Sequence, residues 1–259
     1  MGFEVFVIPE AATLLINGGV AFAGRSAEEM VLLQSKLMGL QIAFEDAFAE
    51  IARETKAPAV LICDCGVMDS LAYIPAEGWQ ALLDERGWTV PALRDQRYEA
   101  VIHIVTAADG AEEFYTTANN SARKSTPEQA RALDLLLRDA WVGHPHLSVI
   151  DNRGGFVEKM RRVVATVCQV VGAPTPVEIE RKFLLRRAPD PAAIPVRSEE
   201  VEIEQTYLLT TDGSESRVRR RGQNGSYTYT HTTKIPKARG ERVEIERRIS
   251  PLTNRADIA

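Results

Sequence analysis

From residue 177 onward the chain repeats one pattern: short runs in which charge falls on every second residue. Read as strands, such runs send alternate side chains to opposite faces of a sheet. In Val177–Leu185 one face would carry Glu178, Glu180 and Lys182, and the other Ile179, Arg181 and Phe183. Arg217, Arg219 and Arg221 share a face in the same way, as do Thr232 with Lys234 and Glu244 with Glu246. Turn signals separate the runs: Thr211-Asp-Gly-Ser214, Gly222-Gln-Asn-Gly225 and Pro236-Lys-Ala-Arg-Gly240. A meander charged on one face cannot bury that face in an apolar core. Either the face is solvated and guards the sheet against aggregation, or it lines a polar groove. Such a groove suits a polyanion, with carboxylates for a divalent metal and cations for phosphates. The first run alone fits both uses equally, and its repetition on later strands favours the groove.

Charge divides along the chain to match. From Val177 onward 16 Lys and Arg stand against 13 Asp and Glu, a net of +3; the remainder holds 15 and 23, a net of −8. No basic patch interleaved with stacking aromatics occurs, so nucleic acid is not expected as a partner. No apolar run approaches the roughly 20 residues of a membrane span. No basic-then-apolar leader opens the chain, and Phe6 breaks the myristoylation pattern after Met1-Gly2. Three cysteines, Cys63, Cys65 and Cys168, suit a reducing compartment rather than a disulfide framework. The expectation is a cytoplasmic protein. His144-Pro-His146 lies in a loop pattern and reads as structural or solvated.

The first two thirds of the chain are patterned differently. Apolar runs at Phe3–Ile8, Ala57–Cys63, Ala100–Val105 and Leu147–Ile150 read as strands. Helical spacing lies between them, with Met30, Leu33, Leu37, Leu40, Phe44, Phe48 and Ile51 forming one stripe over residues 27–55. Thr126, Pro127 and Gln129 give a further helix an N-cap, a first-turn proline and a capping box. Residues 154–171 read as a last helix. Alternation of strand and helix predicts an α/β parallel sheet with helices on both faces. Ligands bind such sheets at the carboxyl ends of their strands, where Glu10, Asp64 and Asp151 fall, with Asp69 close behind. An apolar strand ending in Asp64 resembles a magnesium-holding Walker B strand, although apolar strands ending in Asp are also common without that role. Arg123 and Arg131 flank a capped helix start, as phosphoryl-transfer lid arginines do; two surface arginines on a polar helix is the plainer alternative.

The C-terminal runs resemble the CYTH domain of the triphosphate tunnel metalloenzymes. Glu178-x-Glu180-x-Lys182 matches that family's Glu-x-Glu-x-Lys strand. Gln205-Thr-Tyr-Leu208, Arg217-Val-Arg219, Thr232-Thr-Lys234 and Arg242-x-Glu244-x-Glu246 match its later motifs in order. The resemblance implies magnesium or manganese on Glu178, Glu180, Glu244 and Glu246, and phosphates on Lys182, Arg217, Arg219 and Lys234. Residues 62–69, 114–123 and 140–147 resemble the P-loop domain of NadR-type ribosylnicotinamide kinases and of the TRPL translocation defect protein family. The latter joins this domain to a CYTH-like barrel. It implies binding of GTP and of phosphoinositide or phosphatidic acid, with Asp64 near the metal, Arg123 and Arg131 near the phosphates, and Glu10 and Asp69 as further site residues.

Two departures qualify the match. Cys65 stands where the family has an arginine, and Gly-x-x-x-x-Gly-Lys-Ser/Thr occurs nowhere in the chain. The expected architecture is therefore a P-loop NTPase-like α/β domain over residues 1–173, lacking its first strand and phosphate loop. A partial CYTH-like antiparallel barrel over 174–259 follows, and the chain is expected to be incomplete at both ends. Without the central strand, a gap is expected between the strands ending at Ile8 and Cys63 and the one ending at Val105. Three functions stay open. One is a nucleotide-binding protein of the NTPase or kinase type, with a module for phosphate or anionic phospholipid headgroups. The second is a metal-dependent triphosphate hydrolase, and the third a non-catalytic binding platform. The expected partners are a nucleoside triphosphate or inorganic polyphosphate.

Overall fold

The computed structural model describes residues 2–115, 125–172, 177–178, 184–190, 196–236 and 242–251. The chain divides into two compact units. The first comprises Met1–Thr89 and Tyr115–Trp141, and the second Val90–Phe114 and Val142–Ala259.

In the first unit, strands β1 (Glu4–Ile8) and β2 (Ala59–Cys63) pair in parallel, with Ile8 beside Cys63. Helix α1 (Ala11–Asn17) follows β1, and the long α2 (Ala27–Arg53) crosses both strands. Ser26 caps α2: its hydroxyl accepts from Glu29 N while Glu29 reaches back to Ser26 N. A 3-10 helix (Val67–Tyr73), α3 (Ala76–Arg86) and α4 (Pro127–Ala140) complete the unit. The expected capping box of α4 is present, with Thr126 and Gln129 exchanging side-chain bonds to backbone N–H groups. Ile8, Met38, Val67, Met68, Leu82, Leu83 and Trp141 form the core. Each fully buried side chain of this kind is worth roughly 1.5–3 kcal/mol.

One sequence expectation is corrected in α2. The buried side chains are Gln34, Ser35, Met38, Gln41 and Glu45, whereas Ile51 of the expected apolar stripe is exposed. Polar groups dominate because this face meets backbone ends rather than a uniformly apolar surface. Gln41 accepts from Ala11 N and donates to Cys65 O and Glu45, and buried backbone groups of this kind require partners.

In the second unit, β3 (Val101–Ile104) and β4 (Leu147–Ile150) form another parallel pair, followed by α5 (Gly155–Val171). The parallel strands thus make two two-stranded sheets. No ladder joins the two pairs among the described residues. Buried Lys159 on α5 donates to Val105 O and Asn152 Oδ1, and Asn152 donates to Thr106 O and Asp109 O. These bonds fasten the loop after β3 to the end of β4.

The charged runs form one antiparallel sheet of five strands in the order β5-β9-β8-β7-β6. The strands are β5 (Val177–Glu178), β6 (Glu202–Leu208), β7 (Glu215–Gln223), β8 (Ser226–Pro236) and β9 (Arg242–Arg248). Asn224 and Gly225 both take positive φ between β7 and β8, as a tight hairpin with the strands' right-handed twist requires. Among the described residues the sheet is open, with β5 and β6 at its two edges. No described helix is long and apolar enough to cross a membrane.

Candidate functional site

The register of the five-stranded sheet brings the separate charged runs to one face. Arg217 lies opposite Thr232, and Thr232 opposite Glu246; Lys234 lies opposite Glu244, and Arg219 opposite Gln205. Lys234 Nζ is 3.3 Å from Glu244 Oε2, and Arg217 Nη2 is 3.8 Å from Glu244 Oε1. Thr232 donates to Glu246 Oε2 at 2.8 Å. Arg219 donates twice to Gln205 Oε1, at 3.1 and 3.3 Å. Arg217, Lys234 and Thr232 are largely buried here, and among the described residues Arg217 Nε is buried with no hydrogen-bond partner.

Residues that sequence reading did not assign to this face close one end of it. Asp95 sits against Arg221 at 3.5 Å and against Arg94 Nε at 2.6 Å, with all three acid and guanidinium groups largely or fully buried. Arg221 donates to Gly143 O, and Arg94 to Val142 O. Gly143 has φ +97°, and a Cβ there would lie 2.4 Å from Arg94 Nη1, so only glycine fits. Arg248 donates to the carbonyls of Asp95, Gln96 and Tyr98. His146 Nε2 lies 3.2 Å from Glu246 Oε1, and this bond foremost lowers the Glu246 pKa. His144 is buried; its Nε2 bonds Tyr98 O and its Nδ1 accepts from His146 N, which fixes the neutral tautomer. Burial pushes its pKa down to about 4. No charge alternation marks residues 91–98 or 142–146, so their place beside the face comes from tertiary folding.

Glu178 pairs through its backbone with Arg242, which aligns β5 with the edge of the sheet. Glu180, Lys182 and Arg123 lie outside the described residues. Arg131 bonds Glu128 on its own helix at 3.2 Å.

In the first unit, Glu10, Asp64, Cys65 and Asp69 gather beyond the carboxyl ends of β1 and β2. Glu10 accepts from the Thr13 hydroxyl and lies 3.8 Å from Cys65 Sγ. Asp69 accepts from Gly66 N at 3.0 Å and from Trp141 Nε1 at 2.6 Å. Burial first, then the Asp69, Glu10 and Asp64 carboxylates, push the Cys65 thiol far up. Cys65 is thus a protonated thiol at neutral pH and a poor nucleophile. Asp151, at the end of β4, is instead neutralised by Arg162 and Arg153, and the Arg162 bond foremost lowers its pKa to about 2.

The model of the AAA domain family matches residues 1–159, more than half of the chain. The chain belongs to the AAA domain family. Its AAA domain is of the nucleotide-binding, P-loop NTPase-like type, consistent with the parallel strand pairs and the acidic groups at their carboxyl ends. No curated protein and no solved structure matches the chain significantly. The AAA match stops short of the five-stranded sheet, which begins at β5.

The donor chemistry of the charged face suits a hard divalent cation in type, since Glu244 and Glu246 offer carboxylate oxygens two residues apart on one strand. Among the described residues no group of three or more His, Cys, Asp or Glu side chains is placed to hold a metal.

Proposed function

We propose that the chain couples its AAA domain to a phosphate-binding module of the CYTH type, built by β5–β9. The observation that carries this reading is the cluster of Arg217, Arg219 and Lys234 on one sheet face, with Arg217 Nε buried and, among the described residues, unsatisfied. An orphaned buried guanidinium donor costs on the order of 1–3 kcal/mol, and a phosphate oxygen would remove that cost. Arginine suits the task because its planar donors match a phosphate two at a time. Glu244 currently neutralises Lys234 and Arg217. An arriving polyanion would take over those cations and leave Glu244 and Glu246 to hold magnesium or manganese, together with Glu178 and Glu180. The cation, when bound, screens phosphate charge. Thr232 and His146 would hold Glu246 in position, and Gln205 would orient Arg219.

The preferred ligand class is inorganic polyphosphate or a nucleoside triphosphate, with an anionic phospholipid headgroup sharing the same chemistry. A second reading, metal-dependent hydrolysis of triphosphate, draws on the carboxylates of Glu244 and Glu246 beside the cations. Calorimetric titration with tripolyphosphate, magnesium-GTP and headgroup-bearing vesicles separates these ligands. Arg217→Ala and Lys234→Ala are each expected to weaken tripolyphosphate binding about 10- to 100-fold, as loss of a charge-assisted bond predicts. Unchanged affinity in both variants would remove the reading. Phosphate release that Glu244→Gln and Glu246→Gln abolish would favour the hydrolase.

A further inference from the structure

The outer strand β6 presents a pairing edge that fits a second copy of this chain. Among the described residues β6 pairs with β7 alone. Exposed strand edges are commonly guarded by outward charges, but the acids of β6 are already engaged within the sheet. Glu202 accepts from the Tyr227 hydroxyl, and Glu204 pairs with Arg220 at 3.0 Å. Arg220 also lies over the Tyr227 ring, 4.3 Å from its centroid. The other face of β6, where Gln205 bonds Arg219, carries open apolar side chains on either side of it: Ile203 and Tyr207 are each 55% exposed, and Leu209 just beyond the strand is fully exposed.

The order of residues is self-complementary. Antiparallel pairing of two β6 strands about Gln205 sets Ile203 opposite Tyr207 and Val201 opposite Leu209. It also sets Glu204 opposite Thr206 and Glu202 opposite Leu208. Every apolar residue that is exposed then meets another, and no acid meets an acid. Pairing about Glu204 instead would bring the two Glu204 side chains together, which is destabilising between directly opposed positions. Pairing about Thr206 would set Tyr207 against Gln205 and forgo the contact of an aromatic ring with a β-branched side chain, one of the favourable cross-strand pairs.

We propose that the chain forms a two-fold symmetric dimer by antiparallel pairing of β6 about Gln205. A two-fold axis at Gln205 perpendicular to the sheet keeps like faces together. The faces bearing Arg217, Arg219 and Lys234 then run continuously from one copy into the other. A polyanion long enough to reach both faces gains avidity with no new contact, which extends the phosphate-binding reading without depending on it.

Sedimentation equilibrium of the whole chain tests the dimer. The parent protein is expected to move from the mass of one chain to that of two as concentration rises. The Ile203→Lys/Tyr207→Lys variant places ammonium opposite ammonium and is expected to weaken dimerisation at least tenfold. The Ile203→Glu/Tyr207→Lys variant places carboxylate opposite ammonium and is expected to recover it. Because residues 203 and 207 also lie opposite Arg221 and Arg217 within the chain, circular dichroism checks that both variants remain folded. Oxidation of a Gln205→Cys variant is expected to give a covalent dimer that the parent protein, with its three native cysteines, does not give. A parent chain that stays monomeric overturns the proposal, and so does a Glu/Lys variant as weak as the Lys/Lys one. Pairing of β6 with a peptide of another protein while the chain itself stays monomeric would likewise overturn it.

Discussion

Two residues show how much a single buried group can decide. Asp95 is the shared counterion of Arg94 and Arg221 and is itself fully buried. Removing one member of a buried ionic group leaves uncompensated charge and costs about 3–5 kcal/mol. Asp95→Ala is therefore expected to lower the unfolding free energy by that amount in urea denaturation, with Asp95→Asn less damaging because it keeps one acceptor. Set against a typical net stability of about 5–15 kcal/mol, the alanine variant should be marginal. His144 gives a pH dependence of defined sign. Its folded pKa, about 4, lies below the roughly 6.5 of an unfolded histidine, so the unfolded chain binds the proton first. The stability from neutral His144 is present above about pH 6.5 and is lost as pH falls toward 4. Unfolding midpoints measured between pH 7 and 4 should show a loss on the order of 2 kcal/mol. The His144→Gln variant should flatten that slope.

The strands were the most legible elements, because period-two alternation survives any tertiary context that keeps one face polar. β9 (Arg242–Arg248) and β4 (Leu147–Ile150) fall where the pattern places them, and the Asn224-Gly225 turn fixes the β7–β8 register. Gly222 contributes in a way that composition does not reveal. A Cβ there would lie 2.0 Å from Ser226 O, so the hairpin closes only over a hydrogen. Gly222→Ala is expected to destabilise the sheet by more than the roughly 1 kcal/mol of an ordinary strand substitution, read from thermal unfolding of the variant. Helix α2 was legible in extent and not in orientation. Its apolar residues are periodic, yet the buried side is set by Gln41 and Glu45, whose partners, Ala11 N and Cys65 O among them, belong to distant segments. Helical period alone cannot weigh a hydrogen bond across thirty residues against an apolar contact.

At the scale of the molecule, the sheet's charged face is completed by residues far upstream. Asp95, Gln96, Tyr98, Gly143 and His146 all bond to it, and all fall in the same compact unit as β6–β9. A fragment of residues 174–259 lacks every one of these partners. It is expected to unfold at lower urea concentration than the same sheet in the whole chain, with intrinsic fluorescence and circular dichroism as the readouts. By itself the sequence determined the strands, their turns, the alternation that gathers Arg217, Arg219, Lys234, Glu244 and Glu246, and the mixed α/β character of the AAA domain. These follow from local geometry, in which each residue's side is set by its neighbours. The tertiary structure alone decided which segments close the charged face, and that Arg94, Asp95 and Arg221 are buried together. Those outcomes depend on partners brought together by the fold from distant parts of the chain, where burial raises the worth of each pairing and periodicity carries no information.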